Sequence, residues 1–232
     1  MTPARTAFCA GTAAAAMGLG LHLSAAAPNA EAVDAMEIFL ARPASPHQYQ
    51  ASRRLEASGS GHRGWIDVQT SVTTASGLQY EVMAEGGSRY IRTRVLRSLL
   101  DEERRLIATG RTSRVAISKD NYRFSAEGIS DEGLAVVRIT PLRHEPSLLN
   151  GRLFLTPLDG ELVRVEGRLA KNPSFWVTRV DLVRSYRRID GAVMPVALDT
   201  KAQLRFFGSS GLRMTYRYSH IDDRLVSDPE IP

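Results

Sequence analysis

From residue 151 to residue 221, apolar and polar side chains alternate with a period of two in run after run, the signature of extended backbone with one face buried. In 161–169, Val163, Val165 and Leu169 fall on one side, and Arg164, Glu166 and Arg168 fall on the other with Leu162. In 177–189, Val180, Leu182 and Tyr186 oppose Arg179, Asp181 and Arg187, and in 202–207, Leu204 and Phe206 oppose Gln203 and Arg205. The alternation is cleanest in 212–220, where Leu212, Met214, Tyr216 and Tyr218 interleave with Arg213, Thr215, Arg217 and Ser219. Turn formers separate the runs at Leu158-Asp159-Gly160, Asn172-Pro173-Ser174, Ile189-Asp190-Gly191 and 207–211. The expected product is an antiparallel meander with one apolar face and one arginine-rich face.

Upstream, 48–57, 63–75 and 78–85 read as three further strands, and 114–117, 122–129 and 134–142 as three more, for roughly ten or eleven in all. Between these groups, 88–107 has helical spacing: Ile91, Val95 and Leu99 recur four apart, and Leu96 and Leu100 widen the stripe. Ser88 is placed to cap it, while Arg89, Arg92 and Arg94 crowd the end where the helix dipole disfavours cations. This helix either closes a barrel end or covers the apolar face as a lid. A shorter helix is expected over 32–41, with Val33, Met36 and Leu40 on one side, ending before Pro43 and Pro46.

Residues 1–32 read as an export signal: Arg5 precedes an almost uncharged run to Ala27, and a small-x-small site follows at Ala30-Glu31-Ala32. A membrane-spanning helix is the competing reading, because the run reaches about 20 residues. The remainder, 33–232, is expected to be one domain in the periplasm. The only cysteine, Cys9, lies within the signal, which excludes disulfides and cysteine metal sites from the processed chain. The formal charge of +5 is carried by arginine, since Lys119, Lys171 and Lys201 are the only lysines. Those arginines alternate along strands rather than cluster, which favours a solvated face over a nucleic-acid footprint.

Catalytic and metal-binding groups are sparse. His47, His62, His144 and His220 show no metal-ligand spacing, the glycine groups 59–61 and 86–87 lack the context of a phosphate loop, and the adjacent Asp222 and Asp223 follow a strand. His144, Glu145 and His220 are the only groups from which a hydrolase site could be assembled, and no cofactor is called for.

The layout of an exported N-terminal helix, three strands, an amphipathic helix and a long meander resembles the periplasmic lipoprotein carriers and acceptors LolA and LolB, whose fold the lipid-sensing domain of the RseB/MucB regulators shares. Gly86-Gly87-Ser88-Arg89, Asn121-Tyr122-Arg123-Phe124, Ile139-Thr140-Pro141-Leu142, Gly151-Arg152-Leu153-Phe154, Val165-Glu166-Gly167-Arg168 and Pro173-Ser174-Phe175-Trp176 resemble an uncharacterised bacterial branch of that superfamily. The resemblance implies an incomplete antiparallel β-barrel whose concave apolar face, under a helical lid, accepts acyl chains of lipids or lipoproteins. The cavity would be lined by Val163, Val165, Leu169, Val180, Leu182, Leu204, Phe206, Leu212, Met214, Tyr216 and Tyr218. The lid would be anchored by Ile91, Val95 and Leu99, and the rim would carry Lys171, Phe175 and Trp176. The internal arginine that latches the lid in those carriers has no evident counterpart along the sequence. A non-enzymatic monomer with transient membrane contact is expected; a lipid-sensing regulatory module and an envelope hydrolase are the alternatives.

Overall fold

Alternation of period two becomes one antiparallel sheet in the computed structural model, which describes residues 28–42, 48–175, 177–205 and 208–227. The strands are β1 (Tyr49–Gly59), β2 (His62–Thr73), β3 (Gly77–Gly87), β4 (Tyr122–Ile129), β5 (Ala135–Pro141), β6 (Leu149–Leu155), β7 (Leu162–Leu169), β8 (Val177–Ile189), β9 (Ala192–Leu204), β10 (Gly208–Ile221) and β11 (Arg224–Leu225). Their order in space is β3-β2-β1-β10-β9-β8-β7-β6-β5-β4, with β11 on β10, and the sheet does not close into a barrel. Every neighbouring pair but one is also adjacent in sequence. The exception is β1 with β10, which pair from Tyr49↔Ile221 to Gly59↔Ser210 and so weld the N-terminal hairpins to the end of the meander.

The parity read from sequence governs burial. In β1, Ala51, Leu55 and Ala57 are buried while Ser52, Arg54 and Glu56 are exposed. On the outer face the arginines meet carboxylates across strands: Arg54 with Asp67, Arg152 and Arg138 with Glu127, Arg164 with Glu132, Arg168 with Asp181, and Arg213 with Asp199. Exposed pairs of this kind contribute at most about 1 kcal/mol each. They leave the outer face a solvated lattice of alternating charge.

Two helices fill opposite halves of the inner face. Helix α1 (Pro28–Ala41) packs on β4, β5 and β6. The residues it buries are Ala32 and Ala35, with Met36 and Phe39 beside them, whereas Val33 is exposed. The expected face of Val33, Met36 and Leu40 is therefore displaced, because two alanines allow a closer approach than a branched side chain. Close approach has a second requirement at Gly160 (φ 59°), where a Cβ would stand 2.5 Å from the Ala35 carbonyl oxygen and 2.9 Å from the Phe39 nitrogen. Gly160→Ala should therefore cost about 3 kcal/mol in urea unfolding, from overpacking together with left-handed strain. Gly191→Ala, at φ 88° with nothing within 4 Å, should cost only about 1 kcal/mol of strain. Equal losses at the two sites would mean that α1 is not seated against Gly160.

Because α1 begins at Pro28, a favourable first helical residue, the last five residues of the expected signal form its first turn. Ala32 is fully buried, so processing after Ala32 would remove a packed residue; residues 1–27 lie outside the described residues.

The second helix starts as a π-helical turn, Ile91–Leu96, and continues as α2 (Arg97–Ala108) over β1, β2 and β3. The Arg97 N–H donates to the Arg92 carbonyl, one residue further back than in an α-helix. That extra residue moves the buried stripe: Ile91, Leu96 and Leu100 are buried, while Val95 and Leu99 are half-buried at its flank. No side chain caps the start, so the expected Ser88 cap is absent; the Ser88 N–H instead donates to the Arg63 carbonyl at 2.7 Å.

Other expectations are corrected by local chemistry. Residues 114–117 are not a strand, because Asn121 Nδ2 donates to the Ser113 and Ala116 carbonyls and holds a compact turn after a short 3₁₀ segment, Arg111–Arg114. Residues 192–201, not read as strand from the sequence, belong to β9; Pro195 sits where the β8–β9 register shifts, and its carbonyl accepts the Tyr218 hydroxyl. In β7 a register shift sets Leu162 opposite Leu155, so Leu162 is buried inside and Val163 is the irregular residue between them.

Candidate functional site

Arg53 is the residue that parity places where composition would not. It shares the inner side of β1 with Ala51 and Leu55, its side chain is wholly buried, and it stands opposite Tyr216 on β10 and Val68 on β2. An unpaired guanidinium there would carry a large desolvation cost, and Glu103 on α2 offsets it. Arg53 Nη1 donates to Glu103 Oε2 at 2.7 Å and Nη2 to Oε1 at 3.2 Å, a fork against the carboxylate. Nη2 also meets the Tyr49 hydroxyl, and the guanidinium lies 4.8 Å from the Tyr216 ring centre.

Tyr49 and Tyr216 flank Tyr218, the first edge-on at 5.5 Å and the second stacked at 6.1 Å. Burial pushes the Tyr49 phenol up to about 12 against the pull of Arg53, and burial also raises Tyr218. Desolvation works against the Arg53 cation, yet Glu103 and the two phenols hold its pKa above the ordinary value. All three hydroxyl and guanidinium groups therefore keep their neutral pH protonation states as hydrogen-bond partners.

The same helix is tied to the edge strand by polar contacts. Tyr80 donates to Asp101 Oδ1 at 2.9 Å, Arg97 donates to Glu85 at 2.6 Å, and Arg92 joins it. Residues 91–108 thus cover the half-sheet through an apolar stripe and a polar latch that includes the buried Arg53–Glu103 pair.

Between the two helices lies a strip of inner face on β7–β10. Val165, Arg184, Leu198 and Met214 form one cross-strand row, and Gly167, Leu182, Thr200 and Leu212 form the next. Val180 with Ala202, then Val177 with Leu204, continue towards the sheet end. The helices pack mainly on β1–β3 and β4–β6, and their apolar clusters reach this strip from its two sides, at Met214 and at Val165. Leu169, Leu182, Leu204 and Leu212 are half-buried, while Val165, Val180, Met214, Tyr216 and Tyr218 are buried. Phe206 lies outside the described residues. At the rim, Lys171 and Phe175 are exposed, and the Arg205 guanidinium stands 4.3 Å over the Phe175 ring; Trp176 lies outside the described residues.

Arg184 interrupts the apolar row. Its position two residues from Leu182 and two from Tyr186 puts it inward by the same parity that was used for its neighbours, and that signal was available in the sequence. Its Nε is sealed from solvent without a hydrogen-bond partner, and its guanidinium lies 5.5 Å from the Tyr186 ring.

The residues offered for hydrolysis are not assembled. Glu145 is engaged by Arg114 and Arg143; desolvation pushes its pKa up, and those two hydrogen bonds outweigh it and hold the carboxyl below the usual range. His220 Nδ1 faces Ser219 Oγ at 3.3 Å instead. Among the described residues no group of His, Cys, Asp and Glu could hold a metal ion, and no helix is long and apolar enough to cross a membrane.

No protein-family model and no curated protein matches the chain. Solved structures similar to it include a LolA superfamily protein from Nitrosomonas europaea (12% identical, TM-score 0.41, covering 87% of this chain and 94% of that one). A DUF1329 family protein from Desulfovibrio piger is 9% identical with a TM-score of 0.38, covering 82% and 89%. MucB is 12% identical with a TM-score of 0.25, covering 81% and 92%.

Proposed function

We propose that the protein is an exported carrier of acyl-chain lipids or lipidated protein, working in the periplasm without catalysis. The observation that carries this reading is the set of half-buried apolar side chains on β7–β10, Leu169, Leu182, Leu204 and Leu212, lying between the two helix clusters and beside a helix held partly by polar contacts. The seven residues of β9 from Leu198 to Leu204 span roughly 20 Å, in six steps of about 3.3 Å, enough to lay out much of an acyl chain. About ten methylenes buried there, at about 0.8 kcal/mol each, correspond to micromolar binding before ordering costs. Residues 91–108 act as the lid, opening along the edge of the strip. Arginines on the outer face pair with carboxylates across strands, which favours a solvated surface over a nucleic-acid footprint, and the carrier works as a monomer with brief membrane contact. Processing before Pro28 would leave α1 whole.

The test is direct. Protein purified from the envelope fraction is extracted with organic solvent for mass spectrometry, and the delipidated chain is titrated with a fluorescent acyl probe. Stoichiometric lipid in the extract and micromolar uptake are expected; a lipid-free extract together with no uptake would overturn the carrier reading.

A further inference from the structure

The inner face holds more positive charge than it neutralises. Arg53 and Arg184 both point inward, Glu103 is the carboxylate that reaches them, and its two oxygens are taken by Arg53. Among the described residues the half-buried Arg184 side chain forms no hydrogen bond and no ion pair, and its Nε is shut away from water while its terminal nitrogens face the open part of the strip. The groups whose charge or ring acts on it are Tyr186, Tyr216, Tyr218, Tyr49 and Glu103. A lone guanidinium in an apolar row is costly unless an anion completes it. The row beside it is Leu182, Thr200 and Leu212, which opens towards the rim at Phe175 and Arg205.

We infer that Arg184 is the seat for the anionic end of the ligand, and that the carried class is single-chain anionic amphiphiles, whose chain lies along Leu182, Leu212 and Val180 towards the rim. The inference rests on the carrier reading and adds the head-group chemistry to it. A carboxylate or a phosphate monoester would be held by the guanidinium fork, with no carboxylate of the protein to displace. The phenols of Tyr186 and Tyr216 supply the remaining walls.

The test uses the full chain, delipidated, with palmitate, lysophosphatidic acid and the uncharged methyl palmitate as probes. Wild type should bind at least one anionic probe about tenfold or more tighter than methyl palmitate. The tighter of the two anions tells a carboxylate ligand from a phosphate one. Arg184→Met should lose that preference while keeping methyl palmitate binding, and Arg184→Lys should retain part of it. Without ligand, Arg184→Met should melt no lower than wild type, because it removes an unpaired cation. Equal binding of charged and uncharged probes by wild type would overturn the anion seat and leave the carrier reading standing. Binding of no probe at all would remove both. A preference that survives in Arg184→Met would place the anion elsewhere and overturn the assignment to Arg184.

Discussion

Glu103→Leu should destabilise the protein by about 3 kcal/mol, or roughly 6–12 °C in melting temperature, because it strands the fully buried Arg53 guanidinium beneath α2. The figure sits at the low end of the range for broken buried pairs, since the Glu103 side chain is 32% exposed and water can reach its place. Arg53→Met combined with Glu103→Leu should recover to within about 1 kcal/mol of wild type, because an apolar pair of similar volume has no charge to desolvate. The cycle separates a latch from a contact of convenience. If the single change costs less than about 1 kcal/mol and the two changes simply add, Arg53 is solvated and the latch does not exist. The double variant also has a functional readout, since a lid that still packs without its polar tie should alter the rate of acyl-probe uptake more than the affinity.

Leu96→Asp with Leu100→Asp should undock residues 91–108 altogether. Truncating either buried leucine costs about 2–5 kcal/mol, and an unpaired carboxylate in the same place costs more. The sheet should persist, because its ladder hydrogen bonds and the cluster of Ala32, Ala35, Val137, Leu153 and Val165 under α1 make no use of that helix. Circular dichroism should lose helix and keep strand, hydrogen exchange over 91–108 should become fast, and acyl uptake should be lost with Leu55, Ile66 and Met214 laid open. The same substitutions at Val95 and Leu99, which flank the buried stripe, should do less. Cooperative loss of the strand signal as well would show that the helix is part of the core rather than a lid.

That second contrast depends on a feature invisible to helical periodicity. Spacing of four picks out Ile91, Val95 and Leu99, whereas the π turn inserts one residue and passes the buried stripe to Leu96, Leu100 and then Glu103. A similar slip occurs at Val163, where the register shift in β7 hands the inner position to Leu162. In both places a single extra residue changes the face of everything beyond it, and a pattern of fixed period has no means of registering the insertion.

What the sequence determined by itself is the sidedness of each strand. A period of two is a property of extended backbone alone, so it marks Leu212, Met214, Tyr216 and Tyr218 as inward without knowledge of any partner, and it marks Arg53 and Arg184 as inward once charge is not allowed to veto parity. Turn chemistry is equally local: Asp190 and Gly191 take positive φ between β8 and β9 where the sequence places a turn. Only the tertiary structure decided that β1 lies against β10, that α1 and α2 divide the inner face and leave β7–β9 between them, and that Glu103 meets an arginine 50 residues earlier in the chain. Those are choices among distant partners, settled by which closure buries the most apolar surface while leaving the fewest charges unpaired, and no window of local sequence contains both members of the pair.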